Sequence, residues 1–126
     1  MSAGRRKRAY RRGRWAEALC RIVLALKSYR IVAADYRVKV GEIDIVALRG
    51  RTLAIVEVKA RATFAEAAEA LLPRQRRRIA RATAAFLAQH PSLRGLALRF
   101  DVMLVRPWQL PHHIKNAWHL DGLGGD

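Results

Sequence analysis

Cysteine, acidic residues and long apolar runs are all scarce in this chain of 126 residues. Cys20 is the only cysteine, so the chain has no intrachain disulfide and no zinc cluster built from several thiolates. No apolar run reaches the roughly 18 residues that a membrane-spanning helix needs, and no secretory apolar segment follows the basic N-terminus. These absences predict a soluble cytoplasmic protein.

The scarcity of acidic residues leaves the chain strongly positive. Ten Asp and Glu residues face 25 Lys and Arg residues, which gives a formal net charge of +15. Such a surface attracts polyanions, and contacts with phosphate would make that attraction depend strongly on salt. Membrane phospholipid is the competing polyanion, but no membrane segment accompanies the charge. Nucleic acid, with DNA favoured, is therefore the predicted partner.

The length fits one domain, and a hydrophobic content of 52% is sufficient for a small core. Residues 1–12 contain six basic residues and few apolar ones, which predicts a disordered basic arm. This arm either contacts nucleic acid or is a solvated tail. Residues 13–119 form the predicted folded domain, and residues 120–126 form a flexible, Gly-rich C-terminal tail.

Hydrophobic periodicity predicts the order of helices and strands. Between Gly13 and Ser28, apolar residues recur at intervals of three and four, which predicts a helix with one buried stripe. The stripe comprises Trp15, Ala18, Leu19, Ile22, Val23 and Leu26. The other predicted elements are strands over 29–40, 43–48, 53–58, 98–105 and 114–119, a short helix over 64–72 and a longer helix over 73–89. The order α-β-β-β-α-β-β predicts an α/β fold with a mixed central sheet flanked by helices.

Two neighbouring strands in the stretch from Gly41 to Lys59 carry acidic residues. Asp44 lies in the first apolar run, and Glu57 follows thirteen residues later in the second, two positions before Lys59. Glu57 interrupts the apolar run LAIVEV, where an unpaired carboxylate is costly to bury. An acid in such a place usually has a partner or a metal ion.

The turn between these strands decides whether the acids meet. Side chains alternate along a strand, so Glu42, Asp44 and Val46 share one face, and Leu53, Ile55, Glu57 and Lys59 share one face of the next strand. A two-residue loop at Gly50-Arg51, with a positive φ at the glycine, places Asp44 directly opposite Glu57. A loop at Arg49-Gly50 keeps both acids on one face, whereas a three-residue loop without a bulge separates them.

Carboxylates arranged in this way suit the chemistry of phosphodiester hydrolysis. Hard cations such as Mg²⁺ or Mn²⁺ prefer carboxylate oxygens, stabilise developing negative charge and lower the pKa of a bound water. Asp44 and Glu57 are therefore predicted metal ligands, with Glu42 in reserve, and Lys59 is predicted to orient or activate the attacking water. The alternative is a cross-strand ion pair at a sheet edge, without catalysis.

The segment AADYRVKVGEIDIVALRGRTLAIVEVKAR resembles the YraN-like family, a group of uncharacterised bacterial proteins related to Holliday-junction resolvases in the PD-(D/E)xK nuclease superfamily. The likeness covers roughly residues 13–119, and GEID followed by VEVK is its specific core. It implies a restriction-endonuclease-like or resolvase-like fold, and a homodimer that pairs two sites. It also implies metal ligands at Asp44, Glu57 and the Val58 carbonyl, a supporting acid at Glu17 and a catalytic lysine at Lys59. The chain departs from the family pattern at Trp15-Ala16 and at Ser28, where glycines are common.

Gln75 extends the apolar stripe of the longer helix beyond its N-terminal end, towards an end of the sheet. Related nucleases place a glutamine near the metal on such a helix, which makes Gln75 a further candidate. The alternative is a glutamine that bonds to water or to the backbone.

Basic residues at the start of the same helix are predicted to bind the phosphate backbone. Closely spaced arginines oppose the helix dipole and repel one another, so a polyanion would relieve a real cost. Alternatively, they form a solvated face. The predicted nucleic-acid-binding residues are Arg61, Arg74, Arg76, Arg77, Arg78 and Arg81.

Several other residues receive weaker assignments. Asp101 is expected to pair with Arg99 or to brace the site, and Cys20 is expected in the core. A zinc role for His112 and His113 is disfavoured, because no further ligands stand at suitable spacing. The aromatic residues that could stack on unpaired bases, if they are not core residues, are Tyr36, Phe64 and Trp108.

The function that the sequence favours is metal-dependent cleavage of branched or otherwise structured DNA. One alternative is a non-catalytic nucleic-acid-binding module whose acidic cluster is vestigial or structural. Another is a basic protein that docks on an acidic partner protein.

Overall fold

The computed structural model describes the backbone of residues 3–60, 65 and 71–120, and the side chains of these residues from Gly13 onwards. Among these described residues, five strands form one sheet, and two α-helices and one short 3-10 helix accompany it. The strands are β1 (Arg30–Val38), β2 (Gly41–Arg49), β3 (Thr52–Ala60), β4 (Ala97–Val105) and β5 (His112–Trp118). The helices are α1 (Ala3–Leu26), α2 (Pro73–Gln89) and the 3-10 helix Pro91–Leu93.

The strands lie side by side in the order β1-β2-β3-β4-β5. Only β3 and β4 pair in parallel, and the other neighbours are antiparallel. A parallel pair needs a long crossover connection, and α2 lies within it. The predicted mixed α/β fold and its element order are therefore confirmed. The short helix predicted over 64–72 lies mostly outside the described residues, and its last two residues, Leu71 and Leu72, are not helical.

The β2–β3 hairpin has one of the two turns that keep the acids together. Arg49 pairs with Thr52, so the loop is Gly50-Arg51, and Gly50 has a φ of 60°. That positive φ is available to glycine without strain. The regular ladder ends at the pair Ile45–Val56, so the next position on each strand is an acid, Asp44 on β2 and Glu57 on β3.

The two α-helices cover opposite faces of the sheet. Residues of α2 pack with one set of alternating strand residues, including Leu53 and Ile55, whereas α1 packs with the intervening set, including Ala54 and Val56. The buried line of α1 comprises Ala16, Cys20 and Leu24, and that of α2 comprises Ile79, Ala82, Thr83 and Phe86. The expectation that Cys20 is a core residue is confirmed.

The buried stripe predicted for α1 is wrong in part, because Leu19 and Val23 pack against the core as expected but three of its large members do not. Trp15, Ile22 and Leu26 are 60%, 58% and 81% exposed, respectively, and the fully buried residues lie four apart at Ala16, Cys20 and Leu24. Ala16 and Cys20 are small, so the helix axis can approach the sheet closely. The buried face is therefore centred on Ala16, Cys20 and Leu24, with Leu19 and Val23 beside them, whereas Trp15, Ile22 and Leu26 face outwards.

The ends of α1 also differ from the prediction. The helix begins at Ala3, so the backbone of residues 3–12 is helical where a disordered arm is expected. Alanine and arginine are good helix formers, and no proline interrupts this extension of the packed helix. After Leu26 the chain turns at Ser28, whose φ is 71°, and the Tyr29 N–H donates to the Leu24 carbonyl at 3.0 Å. Within the described residues, no helix is both long enough and apolar enough to cross a bilayer.

The regular alternation predicted for β2 is interrupted at Asp44. Ile43 and Val46 both join the core under α2, although they are three positions apart, whereas Ile45 joins the core under α1. On β1, the residue between the partners of Ile43 and Ile45 is Asp35, which has a φ of 51°. The predicted alternation along β2 is therefore interrupted between Ile43 and Val46, where β2 leaves regular pairing with β3.

Candidate active site

A cavity of about 310 Å³ lies where β2 and β3 separate, between α1 and the start of α2. It brings together residues that the sequence places on four different elements. Its lining residues are Gly13, Ala16, Glu17, Glu42, Asp44, Glu57, Val58, Lys59, Ala60 and Gln75. All six residues predicted for catalysis or metal binding are thus close neighbours, and the reserve acid Glu42 lies beside them.

Asp44 is held by the neighbouring strand. Its Oδ2 accepts a hydrogen bond of 2.8 Å from the backbone N–H of Val58. Because backbone pairing ends at Ile45 and Val56, the side chain of Asp44 takes the place of a ladder acceptor. Asp44 therefore fixes the separated ends of β2 and β3 and is itself fixed in the cavity.

Asp44 interacts with an acid on each side. Burial raises the pKa of Glu17 to about 7, and the charge of Asp44 and a hydrogen bond with it contribute in the same direction. Burial also raises the pKa of Glu57 well above its usual range, again with a contribution from Asp44, while Lys59 and Gln75 act against this rise. Glu57 is only 7% exposed. The three carboxylates are thus crowded, and the nearby positive charge does not compensate them fully.

The donor chemistry of this cavity fits a hard divalent cation. Carboxylate oxygens and a backbone carbonyl are the ligands that Mg²⁺ and Mn²⁺ prefer, and a cation would offset the burial and the repulsion by Asp44 that together raise both glutamate pKa values. In the part of the chain that the structure describes, no three His, Cys, Asp or Glu side chains already form a closed metal-binding group. The acids instead form two pairs, Glu17 with Asp44 and Glu57 with Asp44. A metal ion bound by all three would have to bring Glu17 and Glu57 closer to each other.

The start of α2 reaches the cavity through a close contact with β2. At Gly41 an added Cβ would overlap the carbonyl oxygen of Arg78, so only glycine allows this approach. One turn earlier on α2, the Nε2 of Gln75 lies 3.5 Å from Glu57 Oε2, which is a long hydrogen bond. Gln75 therefore contacts a carboxylate of the cavity, and not only water or the backbone as the alternative has it.

The predicted phosphate-binding arginines on α2 do not line the cavity. Arg74 and Arg81 are exposed on α2, whereas Arg76, Arg77 and Arg78 are half-buried. The Nε of Arg76 donates to the Leu71 carbonyl at 2.9 Å, so Arg76 also holds the chain that precedes the helix. Arg61 lies outside the described residues.

A second buried polar group surrounds Asp101, whose side chain is completely buried. Its carboxylate accepts hydrogen bonds from Arg99 Nε at 2.9 Å and from His113 Nε2 at 2.7 Å. Lys27 Nζ lies 3.0 Å from His113 Nδ1 and can only donate, which assigns the imidazole proton to Nε2. The expected pairing of Asp101 with Arg99 is confirmed. Sequence reasoning missed His113, because the separation of fourteen residues between Arg99 and His113 carries no periodic signal.

Burial alone would raise the pKa of Asp101, but the hydrogen bonds from His113 and Arg99 outweigh it and lower this pKa to about 2. The group therefore stays ionised at neutral pH. It joins β4 and β5 to the end of α1 and takes no part in the carboxylate cavity. Both ring nitrogens of His113 are engaged by protein groups, which removes it from consideration as a zinc ligand.

The aromatic candidates have different environments. The Tyr36 hydroxyl donates to Gln89 Oε1 at 2.8 Å, and its ring meets Phe86 edge-on, so Tyr36 is part of the packed structure. Trp108 is fully exposed. Phe64 lies outside the described residues.

Comparison with known proteins agrees with the resemblance found in the sequence. The model of the uncharacterised protein family UPF0102 matches residues 16–105. A UPF0102 protein of Parvibaculum lavamentivorans is 53% identical over 110 residues, which cover 87% of this chain and 83% of the relative. One of Paramagnetospirillum magneticum is 50% identical over 117 residues, covering 90% and 91%, respectively. The chain therefore belongs to the uncharacterised, YraN-like protein family UPF0102.

Proposed function

We propose that this protein is an Mg²⁺- or Mn²⁺-dependent endonuclease that hydrolyses phosphodiester bonds in branched or otherwise structured DNA. The observation that carries the proposal is the position of Asp44, which interacts with both Glu17 and Glu57 in one cavity that also contains Lys59. The preference for branched DNA rests on the likeness to junction resolvases.

Asp44, Glu57, the Val58 carbonyl and Glu17 would hold the metal ion. The bound ion would stabilise negative charge on the phosphate and lower the pKa of a coordinated water. The chain contributes the preorganisation, because the bond from the Val58 N–H fixes Asp44 before any ligand arrives. Burial and repulsion by Asp44 disfavour the ionised forms of Glu17 and Glu57 in the free protein, and both effects favour the binding of a cation.

Lys59 supplies the positive charge that the chain itself brings to the cavity. Its charge lowers the pKa of Glu57 and so favours the ionised carboxylate that a metal ligand must be. An ammonium group has three donors, which allows Lys59 to orient a water between itself and a phosphate oxygen. Gln75, close to Glu57, restricts the movement of that carboxylate.

Binding of the DNA backbone is assigned to the basic surface. The net charge of +15 provides the long-range attraction, and Arg74 and Arg81 present exposed guanidinium groups on α2. Guanidinium groups bind phosphate in a bidentate manner, which would orient the strand relative to the cavity below the start of α2.

Cleavage of a four-way DNA junction and of a duplex with the same arms, with Mg²⁺ or Mn²⁺, tests the proposal. The Lys59→Ala variant should lose cleavage and retain salt-sensitive junction binding. Lys39→Ala removes the same charge at an exposed position outside the cavity and should cleave normally. Titration calorimetry should show metal binding by the wild type and its loss in Asp44→Ala and Glu57→Ala.

Three results would contradict the proposal. Cleavage by Lys59→Ala at the wild-type rate would show that the cavity residue Lys59 is not needed for catalysis. Saturable DNA binding without saturable metal binding would favour the non-catalytic binding module. Weak DNA binding that does not change with DNA length at physiological salt would favour docking on an acidic protein.

A further inference from the structure

We propose that the apolar groove beside the carboxylate cavity binds unpaired nucleobases of the strand whose backbone lies at the carboxylates. This inference rests on the proposed function, because it concerns the substrate of the same site. It assigns the selection of unpaired strands to two exposed tryptophans, Trp15 and Trp108.

The groove has a volume of about 870 Å³ and lies between α1 and the turn that joins β4 to β5. Most of its surface is apolar. The apolar side chains that line it include Trp15, Leu19, Val105, Pro107, Trp108 and Leu110. Its size is in the range of pockets that hold organic ligands.

The groove and the carboxylate cavity adjoin. Ala16 and Ala60 line both, one from α1 and the other from the end of β3. Glu17 follows Ala16 directly, and Lys59 precedes Ala60 directly. A strand with a phosphate at the carboxylates would therefore have its neighbouring bases within reach of the groove.

Trp108 has the exposure and backbone conformation of a contact residue. Its side chain is 102% exposed, and its φ of 63° lies in the left-handed region, which is strained for a residue with a Cβ. Strained residues of this kind concentrate at functional sites, where the surrounding structure holds them in place. Trp15, on the other side of the groove, is 60% exposed. Two indole rings that are this exposed to solvent are available to stack against flat aromatic partners.

The charge of the protein selects nucleobases over a second copy of the chain. Association of two copies through this groove would bring together two chains of charge +15, with Arg106 lining the contact. A nucleic-acid strand instead offers flat apolar faces for the indoles and anionic phosphates for the basic residues. The exposed Ile22 and Leu26 lie further along α1 and do not line the groove.

The groove would then discriminate by base pairing. Bases within a duplex are stacked on one another and cannot enter the groove, whereas the unpaired bases of a flap or a single-stranded end can. Metal-free binding of a single strand should therefore require the bases themselves and not only the charge of the backbone.

The experiment measures metal-free binding, by fluorescence anisotropy, of an oligothymidylate strand and of an abasic strand of the same length. The wild type should bind the base-bearing strand more tightly. The Trp108→Ala variant should lose about 5- to 150-fold in affinity for that strand, which is the effect of removing one stacked base, and should change little with the abasic strand. Trp108→Phe should restore most of the affinity. Leu26→Ala removes an exposed apolar side chain elsewhere on α1 and should have no effect.

Equal loss on both strands, or no loss on either, overturns the inference. Sedimentation velocity provides a further outcome, since conversion of a wild-type dimer to a monomer by Trp108→Ala, with base binding unchanged, would make the groove a self-interface. If the wild type cleaves junctions and Trp108→Ala binds thymidylate normally, this inference fails and the proposed function stands. If Trp108→Ala loses base-dependent binding but the wild type does not cleave DNA, the base-binding site stands and the proposed nuclease function fails.

Discussion

Replacement of Asp44 by asparagine should stabilise the folded protein while it removes metal binding. The introduced asparagine would be isosteric with the aspartate, and its side-chain oxygen can still accept the hydrogen bond from the Val58 N–H. Its amide can also donate to Glu17 or Glu57. The substitution therefore removes one negative charge from the crowded carboxylates and leaves the local hydrogen bonding intact.

The raised pKa of Glu17 sets the size of the expected change in the free energy of unfolding. A rise from 4.5 to about 7 corresponds to roughly 3 kcal/mol of destabilisation once the group is ionised in both folded and unfolded chains. Burial is the largest cause of this raised pKa, so Asp44 accounts for only part of the destabilisation. Because Glu17 is only half-buried, solvent also screens its repulsion by Asp44. We expect Asp44→Asn to gain about 1–2 kcal/mol in the free energy of unfolding at pH 8.

The sign of the pH dependence follows from the direction of the pKa change. Below pH 4.5, Glu17 is protonated in both states and the stability is fully present. As the pH rises through 7, the unfolded chain ionises first and the folded protein loses stability. The advantage of Asp44→Asn should therefore be small at pH 4.5 and reach its full value above pH 7.

Urea denaturation at pH 5 and pH 8, with and without Mn²⁺, measures the effect. If the proposed metal site exists, Mn²⁺ should stabilise the wild type at pH 8 but not Asp44→Asn, whose site lacks one carboxylate ligand. Glu42→Gln is the matched control, since it removes a carboxylate from the same cavity but not one that raises the pKa of Glu17 or Glu57. A variant that is less stable than the wild type at pH 8, or one whose gain is the same at both pH values, would refute the electrostatic account.

Three further substitutions test other parts of the fold. Gly41→Ala should lose about 1–3 kcal/mol in urea denaturation, because its Cβ would overlap the Arg78 carbonyl; unchanged stability would mean that α2 can move away without cost. Ser28→Gly should gain about 0.5–1 kcal/mol, because the φ of 71° is strained for serine, and a decrease in the melting temperature would contradict this reasoning. Asp101→Asn should lose about 2 kcal/mol at pH 7, since the folded pKa of about 2 stabilises the protein above pH 3.8. The stability difference from the wild type should shrink as the pH falls from 4 to 2, and acid titration followed by circular dichroism detects it.

The hairpin is the part of the site that the sequence predicted most completely. The alternating apolar residues and the glycine between them restricted the strands to a few registers, and the structure adopts the one with the Gly50-Arg51 loop. This succeeded because the pairing of adjacent strands joined by a short loop depends on local geometry. The start of α2 at Pro73 was predictable for a similar reason, since proline suits the first turn of a helix.

The face that α1 buries was not predictable in the same way. The large apolar side chains of Trp15, Ile22 and Leu26 favoured a stripe displaced from the line of residues that the helix buries. Which stripe meets the sheet depends on how closely the helix can approach the strands, and this is a property of the packed pair and not of the helix alone. The groove next to Trp15 and Trp108 follows from the same packing.

The sequence by itself determined the order of the elements, the acids on β2 and β3, and the charge that attracts polyanions, because each of these depends on local pattern or on composition. Only the tertiary structure decided that Glu17 and Gln75, from two helices on opposite faces of the sheet, reach the same two strands. It also decided that Glu17 and Glu57 are partly or fully buried on either side of Asp44, and burial together with the charge of Asp44 raises their pKa values. Distances between residues far apart in sequence follow from the packing of whole elements, and no periodicity within one element encodes them.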